Sequence, residues 1–463
     1  MIVMKFGGTS VGSVDAINKV AKIVKSHHDL QPIVVVSAMS RITDVLGQMA
    51  RESCQGALPK SLIEEVKGRH IGTAETLLDP SESGEIVTMF VTMFEELENI
   101  FRGIALLQEL TPRTRDLISS FGERLSAPLV AATLRHHGVA AEAYDARQYI
   151  KTNQRYTEAE VEFDETNRLI SDALIPVAET GTVPVITGFV GSTPEGVTTT
   201  LGRGASDYTA SIVASAVHAA EIWIWTDVDG AMSADPRIVT EARVIEKITY
   251  HEAAEMSYFG AKVLHPKTML PAVKDRIPIR IKNTFNSANP GTLISDKTVY
   301  SATGVKTVTS IDRLCLVTIE GSGLIGLPDT PARVFQTTAA HRVNIIMITQ
   351  ASSEHDICIL IDEKDRETVV SSLQEEFRHE LERGVIDGVT AQPNVAVVAV
   401  VGEGMKGTPG IAARTFGILG DHQINIITIA QGSSELNISF VVDHDDLEKT
   451  VRLVHNAFDL DSE

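Results

Sequence analysis

Residues 2–36 read IVMKFGGTSVGSVDAINKVAKIVKSHHDLQPIVVV, and the order of apolar blocks in that stretch decides the fold. Ile2 to Phe6 is a short apolar run, a glycine pair follows it, and Ile33-Val-Val-Val closes the stretch, so both ends read as strands. Between them Ser13 can cap a helix, and Ile17, Val20, Ala21 and Val24 recur at the spacing of one buried helical stripe. Strand, helix and strand in that order predict parallel neighbours in one sheet. Pro184-Val-Ile-Thr, Ile222-Trp-Ile-Trp and Ile277-Pro-Ile-Arg-Ile repeat the strand signal, alternating with helical patterns such as Ser211 to Val217. The expectation is an α/β sandwich around a largely parallel sheet up to residue 297. Turn-forming Asn286-Ser-Ala-Asn-Pro-Gly-Thr and Ser295-Asp-Lys set the boundary there.

Beyond it lies an internal repeat. Gly321 and Gly402, Phe335 and Phe416, Asn344 and Asn425, and Gln350 and Gln431 are each separated by the same 81 positions. ITQASSEHDICILI overlies IAQGSSELNISFVV without a gap. Each copy reads as strand, glycine turn, amphipathic helix, strand, turn, strand and helix, an α+β sandwich pattern. Residues 305–390 are expected to form the first copy and 391–463 the second, the pair packing sheet to sheet.

Composition limits what such a chain can do. At about 150 residues per domain, its 463 residues suggest three domains. Sixty-one acidic against 41 basic side chains leave a net charge of −20, which disfavours nucleic acids and anionic membranes as partners. Cys54, Cys315 and Cys358 are too few and too scattered for a disulfide framework, and neither a secretory leader nor a membrane-length apolar run is expected. The expected compartment is the cytoplasm.

Several residues can carry chemistry. Lys5 sits in an apolar strand before Gly7 and Gly8, where burying an ammonium is costly unless it meets an anion such as phosphate. The alternative is a snorkelling strand-end lysine. The order fits neither a P-loop, whose lysine follows its second glycine, nor a dinucleotide fingerprint. In Gly202-Arg-Gly-Ala-Ser-Asp, Arg203 can grip a carboxylate with two donors, while Asp207 either caps a helix or orients lysines around a phosphoryl group. Glu123 either favours a helix dipole or pairs with a substrate ammonium. Thr226-Asp227 follows a strand and Asp235-Pro-Arg237 lies just beyond, at the sheet end where open α/β folds bind nucleotides. Lys262 stands in a second glycine turn, Phe259-Gly-Ala-Lys. Trp223 and Trp225 read as core, and His265 as structural or capping. The pairs His27-His28 and His136-His137 lack metal-ligand spacing and a nearby carboxylate pattern, so no resident metal site is expected.

The motifs KFGGTSVG, SAMSRITD, SFGERLS, TGFVGSTPEGVTTTLGRGASD, IWTDVDG, ADPR and FGAKVLHP stand in this order along the chain, which thereby resembles the aspartokinases of the amino acid kinase family. The resemblance implies a kinase part at 1–297 and two ACT domains, commonly interleaved, with residues 305–310 joining the second. It implies transfer of the γ-phosphoryl group of Mg-ATP to the side-chain carboxylate of L-aspartate. By matching motif, Lys5, Gly7, Gly8 and Lys262 would face the phosphates, and Asp207 would hold the lysines. Thr226, Asp227 and Arg237 would line the nucleotide pocket. Glu123 would take the α-ammonium, Arg203 the α-carboxylate, and Thr43 and Ser206 would position aspartate. Gln350 and Gln431 would contact an effector, with threonine favoured over lysine, and the ACT domains would pair chains into a homodimer or larger homo-oligomer. Ala205 and Met232 depart from the family pattern, which commonly has glycine and an aromatic there. The rival expectations are a kinase for another acidic amino acid and a non-catalytic amino-acid sensor.

Overall fold

The computed structural model describes residues 1–261, 264–321, 329–350 and 356–461. The chain divides into two compact units, the first made of 1–231, 246–253 and 263–297 and the second of 232–245, 254–262 and 298–463. The two short excursions, 232–245 and 254–262, have no periodicity that would assign them to the second unit from sequence.

In the first unit the strands are β1 (Ile2–Phe6), β2 (Pro32–Val36), β3 (Ala141–Tyr144), β4 (Val183–Thr187), β5 (Val190–Ser192), β6 (Thr198–Thr200), β7 (Ile222–Thr226), β8 (Lys247–Thr249), β9 (Ile279–Asn283) and β10 (Thr292–Ser295). The helices are α1 (Val14–Ser26), α2 (Ile42–Cys54), α3 (Lys60–Leu77), α4 (Pro80–Leu107), α5 (Pro112–His136), α6 (Phe163–Glu179), α7 (Ala205–Ala216), α8 (Tyr250–Tyr258), which runs on into the second unit, and α9 (Pro266–Asp275). Among the described residues, eight strands form one sheet in the order β3-β4-β2-β1-β7-β9-β10-β8, parallel except where β10 meets β9. The opening strand, helix and strand fold as expected: Ser13 caps α1 through the Ala16 N–H, and Ile17, Val20, Ala21 and Val24 are buried. Trp225 is fully buried and stacks on Phe6, so the strand tryptophans serve the core. Strand order runs outward in both directions from β1, flanked by β2 and β7, which makes its carboxyl end the switch point where such sheets bind ligands.

The second unit contains β11 (Thr307–Glu320), β12 (Ile345–Gln350), β13 (Asp356–Asp362), β14 (Gly388–Val401), β15 (Thr428–Ala430) and β16 (Asn437–Asp443). Its further helices are α10 (Thr330–Ala340), α11 (Arg366–Glu376), α12 (Arg378–Glu382), α13 (Ile411–Asp421) and α14 (Leu447–Ala457). The repeat is visible in these bounds, since β13 and β16, α10 and α13, and α11 and α14 each match at the 81-residue offset. The two copies do not pack sheet to sheet. They share one antiparallel sheet, ordered β12-β13-β11-β14-β16-β15. The cause is strand length: β11 pairs through 314–320 with β13, β14 pairs through 395–401 with β16, and the remaining part of each long strand lies against the other. The sheet curls enough that its edge strands meet, Thr349 Oγ1 lying 3.0 Å from Thr428 Oγ1. Each copy keeps its own core, around Val317, Ile359 and Phe377 in the first and Val398, Phe440 and Phe458 in the second. No helix among the described residues is long and apolar enough to cross a membrane.

Candidate active site

At the carboxyl end of β1 the backbone turns sharply. Gly7 N–H donates to Trp225 O at 3.0 Å, and a Cβ on Gly8 would stand 3.0 Å from Ala38 O, so this turn tolerates little beyond glycine. Lys5, flanked in register by Val35 and Ile224, sends its ammonium back over the glycines, 3.8 Å from where a Gly7 Cβ would be. There it meets Asp207, with Nζ 2.6 Å from Oδ1 and the two side chains only 11% and 20% exposed. The cap of α7 is Gly204, with φ 70°, so Asp207 in the first turn is an ion-pair partner and not the helix cap. Lys5 is accordingly no snorkelling strand-end lysine.

Lys5 and Asp207 line a cleft of about 730 Å³ within the first unit, whereas Gly7, Gly8 and the buried Glu123 are not among its lining residues. Thr43, Arg203 and Ser206 line it too, as do Ser37 and Phe189, which stand inside the family motifs without an assigned role, and Arg51, Arg115, Asp116 and Thr157, which stand outside them. Ser206 reaches its position because Gly188 makes room: a Cβ there would stand 2.7 Å from Ser206 Cβ. Arg203 has no ion-pair partner among the described residues, and the turn carries its backbone.

Glu123 lies in the middle of α5, far from either end, so the dipole explanation fails. Its carboxyl is buried, with Oε1 accepting from Ala38 N–H at 3.1 Å and Oε2 without a hydrogen-bond partner among the described residues. Burial pushes its pKa up to about 8, against the Ala38 hydrogen bond and the positive charge of Lys5, which act in the other direction. Gly122 allows the approach, since a Cβ there would stand 2.6 Å from Ala38 Cβ.

Other predicted residues fall elsewhere. Thr226 ends β7 and its hydroxyl donates to Asp227, but neither lines the cleft. Arg237 belongs to the second unit, 82% exposed and clamped by Asp235 at 2.5 Å. Gln350 ends β12, and Gln431 directly follows β15; both are exposed. Lys262 lies outside the described residues. His265 caps α9 by accepting from Lys267 N–H. The histidine pair at 136–137 needs correction: Asp79 and Glu82, at the start of α4, bring their carboxylates to His136, with ligand atoms within 4.8 Å of one another on an exposed surface. A contact between residues this far apart leaves no local spacing to read.

Sequence and structure comparisons agree with this layout. The profile of the amino acid kinase family matches residues 1–283, and that of an ACT domain matches 317–377 and 398–458. The chain is 35% identical over 465 residues to bifunctional aspartokinase/homoserine dehydrogenase 2 of Arabidopsis thaliana, covering 98% of this chain and 50% of the relative. It thus spans about half the length of the bifunctional relatives it matches. It is 34% identical over 466 residues to aspartokinase 3 of the same plant, covering 98% of this chain and 81% of that one. Two structures of Escherichia coli aspartokinase III each cover 99% of both chains. One, with aspartate and ADP, has 32% identity and a TM-score of 0.80; the other, with lysine and aspartate, has 31% and 0.82. The chain belongs to the amino acid kinase family, in its aspartokinase branch, with ACT domains following the kinase part.

Proposed function

We propose that this chain is an aspartate kinase, transferring the γ-phosphoryl group of Mg-ATP to the side-chain carboxylate of L-aspartate to give 4-phospho-L-aspartate and ADP. The observation that carries the reading is that Lys5, Asp207, Ser206, Arg203 and Thr43 line one cleft. The chemistry asks little covalent help of the protein. A carboxylate of ordinary pKa near 4 is already ionised at pH 7, so its oxygen attacks the γ-phosphorus without a general base while the bond to the ADP oxygen breaks. What the protein must supply is alignment and positive charge. Lys5, fixed by Asp207, meets the charge on the transferring oxygens. Arg203 takes the α-carboxylate in two-pronged fashion, Thr43 and Ser206 hold the substrate by their hydroxyls, and the buried Glu123 takes the α-ammonium.

Magnesium fits this picture as part of the nucleotide. The His/carboxylate group found among the described residues, Asp79, Glu82 and His136, does not line the cleft, and Asp207 is engaged by Lys5. The ion, which keeps several water ligands, would be held chiefly by phosphate oxygens and would neutralise their charge. Thr226, Asp227, Arg237 and Lys262 remain the proposed nucleotide contacts on the strength of the family motifs.

We further propose that the product feeds lysine, threonine and methionine synthesis and that an end-product amino acid, threonine in preference to lysine, inhibits through Gln350 and Gln431. Support comes from the meeting of Thr349 and Thr428, which brings the two repeat segments bearing those glutamines side by side. Chains would associate as homodimers or larger homo-oligomers through the ACT domains, and the three unpaired cysteines suit a reducing cytoplasm. Coupled ADP-release assays with aspartate, glutamate and N-acetylglutamate test the central reading. Turnover with aspartate alone is expected, and none with aspartate ends it.

A further inference from the structure

We infer that Asp116 is a positioning residue for the substrate side of this cleft, fixing the turn that carries Arg203 by bolting it to the loop at 153–160. For the kinetic part the inference rests on the aspartate kinase reading above.

Asp116 is 1% exposed, on the same face of α5 as Glu123 two turns farther on. Its carboxylate accepts three hydrogen bonds from two separate segments: Thr157 N–H at 2.9 Å and Thr200 N–H at 3.0 Å to Oδ2, and the Thr200 hydroxyl at 2.7 Å to Oδ1. The segments also touch each other. Ala159 N–H donates to Thr200 O at 2.9 Å, and Gly202, at φ 89°, packs so that a Cβ would stand 3.5 Å from Thr157 O. Arg203 is the next residue.

Two features show that this junction is built for position. Thr157 is β-branched yet holds φ at 73°, a left-handed backbone that such residues rarely adopt unless surrounding bonds enforce it. Its N–H is one of the three on Asp116. Arg203, in turn, lacks an ion-pair partner among the described residues, and the turn that Asp116 ties down carries its backbone. Burial pushes the Asp116 carboxyl above its usual range, opposed by its three donors, so placing a carboxyl here carries a cost that a purely apolar filler would avoid.

Steady-state kinetics on Asp116→Asn and Thr200→Val, with thermal melting by circular dichroism, test the inference. An asparagine must turn its NH₂ toward at least one of the donors. We expect the aspartate KM to rise about tenfold in Asp116→Asn and about threefold in Thr200→Val, while the ATP KM stays within about twofold. Adding Thr157→Gly to Asp116→Asn should recover part of the aspartate KM, because glycine takes the left-handed backbone without strain. Equal rises in both KM values, no rise in either, or no recovery by the glycine would overturn the assignment. If Asp116→Asn fails to fold, the KM split in Thr200→Val decides alone. If the wild-type chain does not phosphorylate aspartate, the functional reading fails separately. Hydrogen exchange of the 200–204 amides then decides, faster exchange in Asp116→Asn supporting the bolt and unchanged exchange overturning it.

Discussion

Lys5 Nζ and Asp207 Oδ1 stand 2.6 Å apart, an ion pair that ties the end of β1 to the first turn of α7. Both side chains are mostly screened from solvent, so the carboxylate fixes an ammonium that would otherwise sweep over the glycine turn. If Asp207 works through Lys5, the two act as a unit. Lys5→Met and Asp207→Asn should each lower kcat by about 10²-fold or more, and the double variant should lose far less than the product of the two. A double-mutant cycle in kcat checks this, and independent effects would separate the roles.

Glu123 links pH to both stability and binding. Its folded pKa of about 8 lies above the usual 4.5, so the folded chain holds a proton that the unfolded chain releases, and stability should fall as pH rises from about 4.5 to about 8. Glu123→Gln should remove that slope, raising Tm at pH 8 relative to wild type with little change at pH 4. The same variant should raise the aspartate KM by about tenfold or more and leave the ATP KM nearly unchanged. Because a bound ammonium favours the carboxylate, aspartate binding at pH 7 should release protons, which calorimetry in buffers of different ionisation enthalpy would detect.

His70 gives the opposite limb. It is fully buried against Phe90 and Phe94, with Nδ1 on Val66 O, and burial lowers its pKa to about 4. The unfolded chain therefore binds a proton first, and stability is lost as pH falls from about 6.5 to about 4. His70→Leu should flatten the dependence of Tm on pH across that window. An unchanged slope would assign acid lability to other groups.

Regulation should pass through β12. Tyr258, ending α8, donates its hydroxyl to Ile346 O at 2.8 Å, at the start of the strand that ends in Gln350. Gln350→Ala should raise the half-inhibiting threonine concentration by about tenfold with uninhibited kcat preserved. Tyr258→Phe should raise it by about threefold, the worth of a single hydrogen bond. An inhibition curve for each variant suffices, and lysine run in parallel tests the choice of effector.

What could be read ahead of the structure was what period and local chemistry encode. The stripe through Ile17 and Val24, the glycine turn beside Lys5 and the 81-residue offset all survive into three dimensions because each is local or self-similar. Asp207 stayed ambiguous because a carboxylate two residues into a helix suits a cap and an ion pair equally, and only the distant Lys5 separates them. Asp116 went unnoticed for a related reason: its partners, Thr157 and Thr200, come from separate loops. Arg237 drew attention through its motif, yet its short segment folds with the second unit, where Asp235 engages it. The shared sheet of the two repeat copies was not legible in the residues themselves, because nothing in an apolar run such as 395–401 says how many partners one strand will serve; only the family resemblance, with 305–310 joining the second copy, pointed towards it.

That sharing constrains how the regulatory half can be altered by recombination or truncation. Because 307–311 pairs against 397–401, the second copy borrows a strand from the very start of the segment that carries the first. Cutting out either copy at the repeat boundary would therefore leave the survivor short of one edge, with unpaired amides inviting aggregation. Swapping effector specificity between relatives should succeed only when the whole span from 307 onward is exchanged as a block.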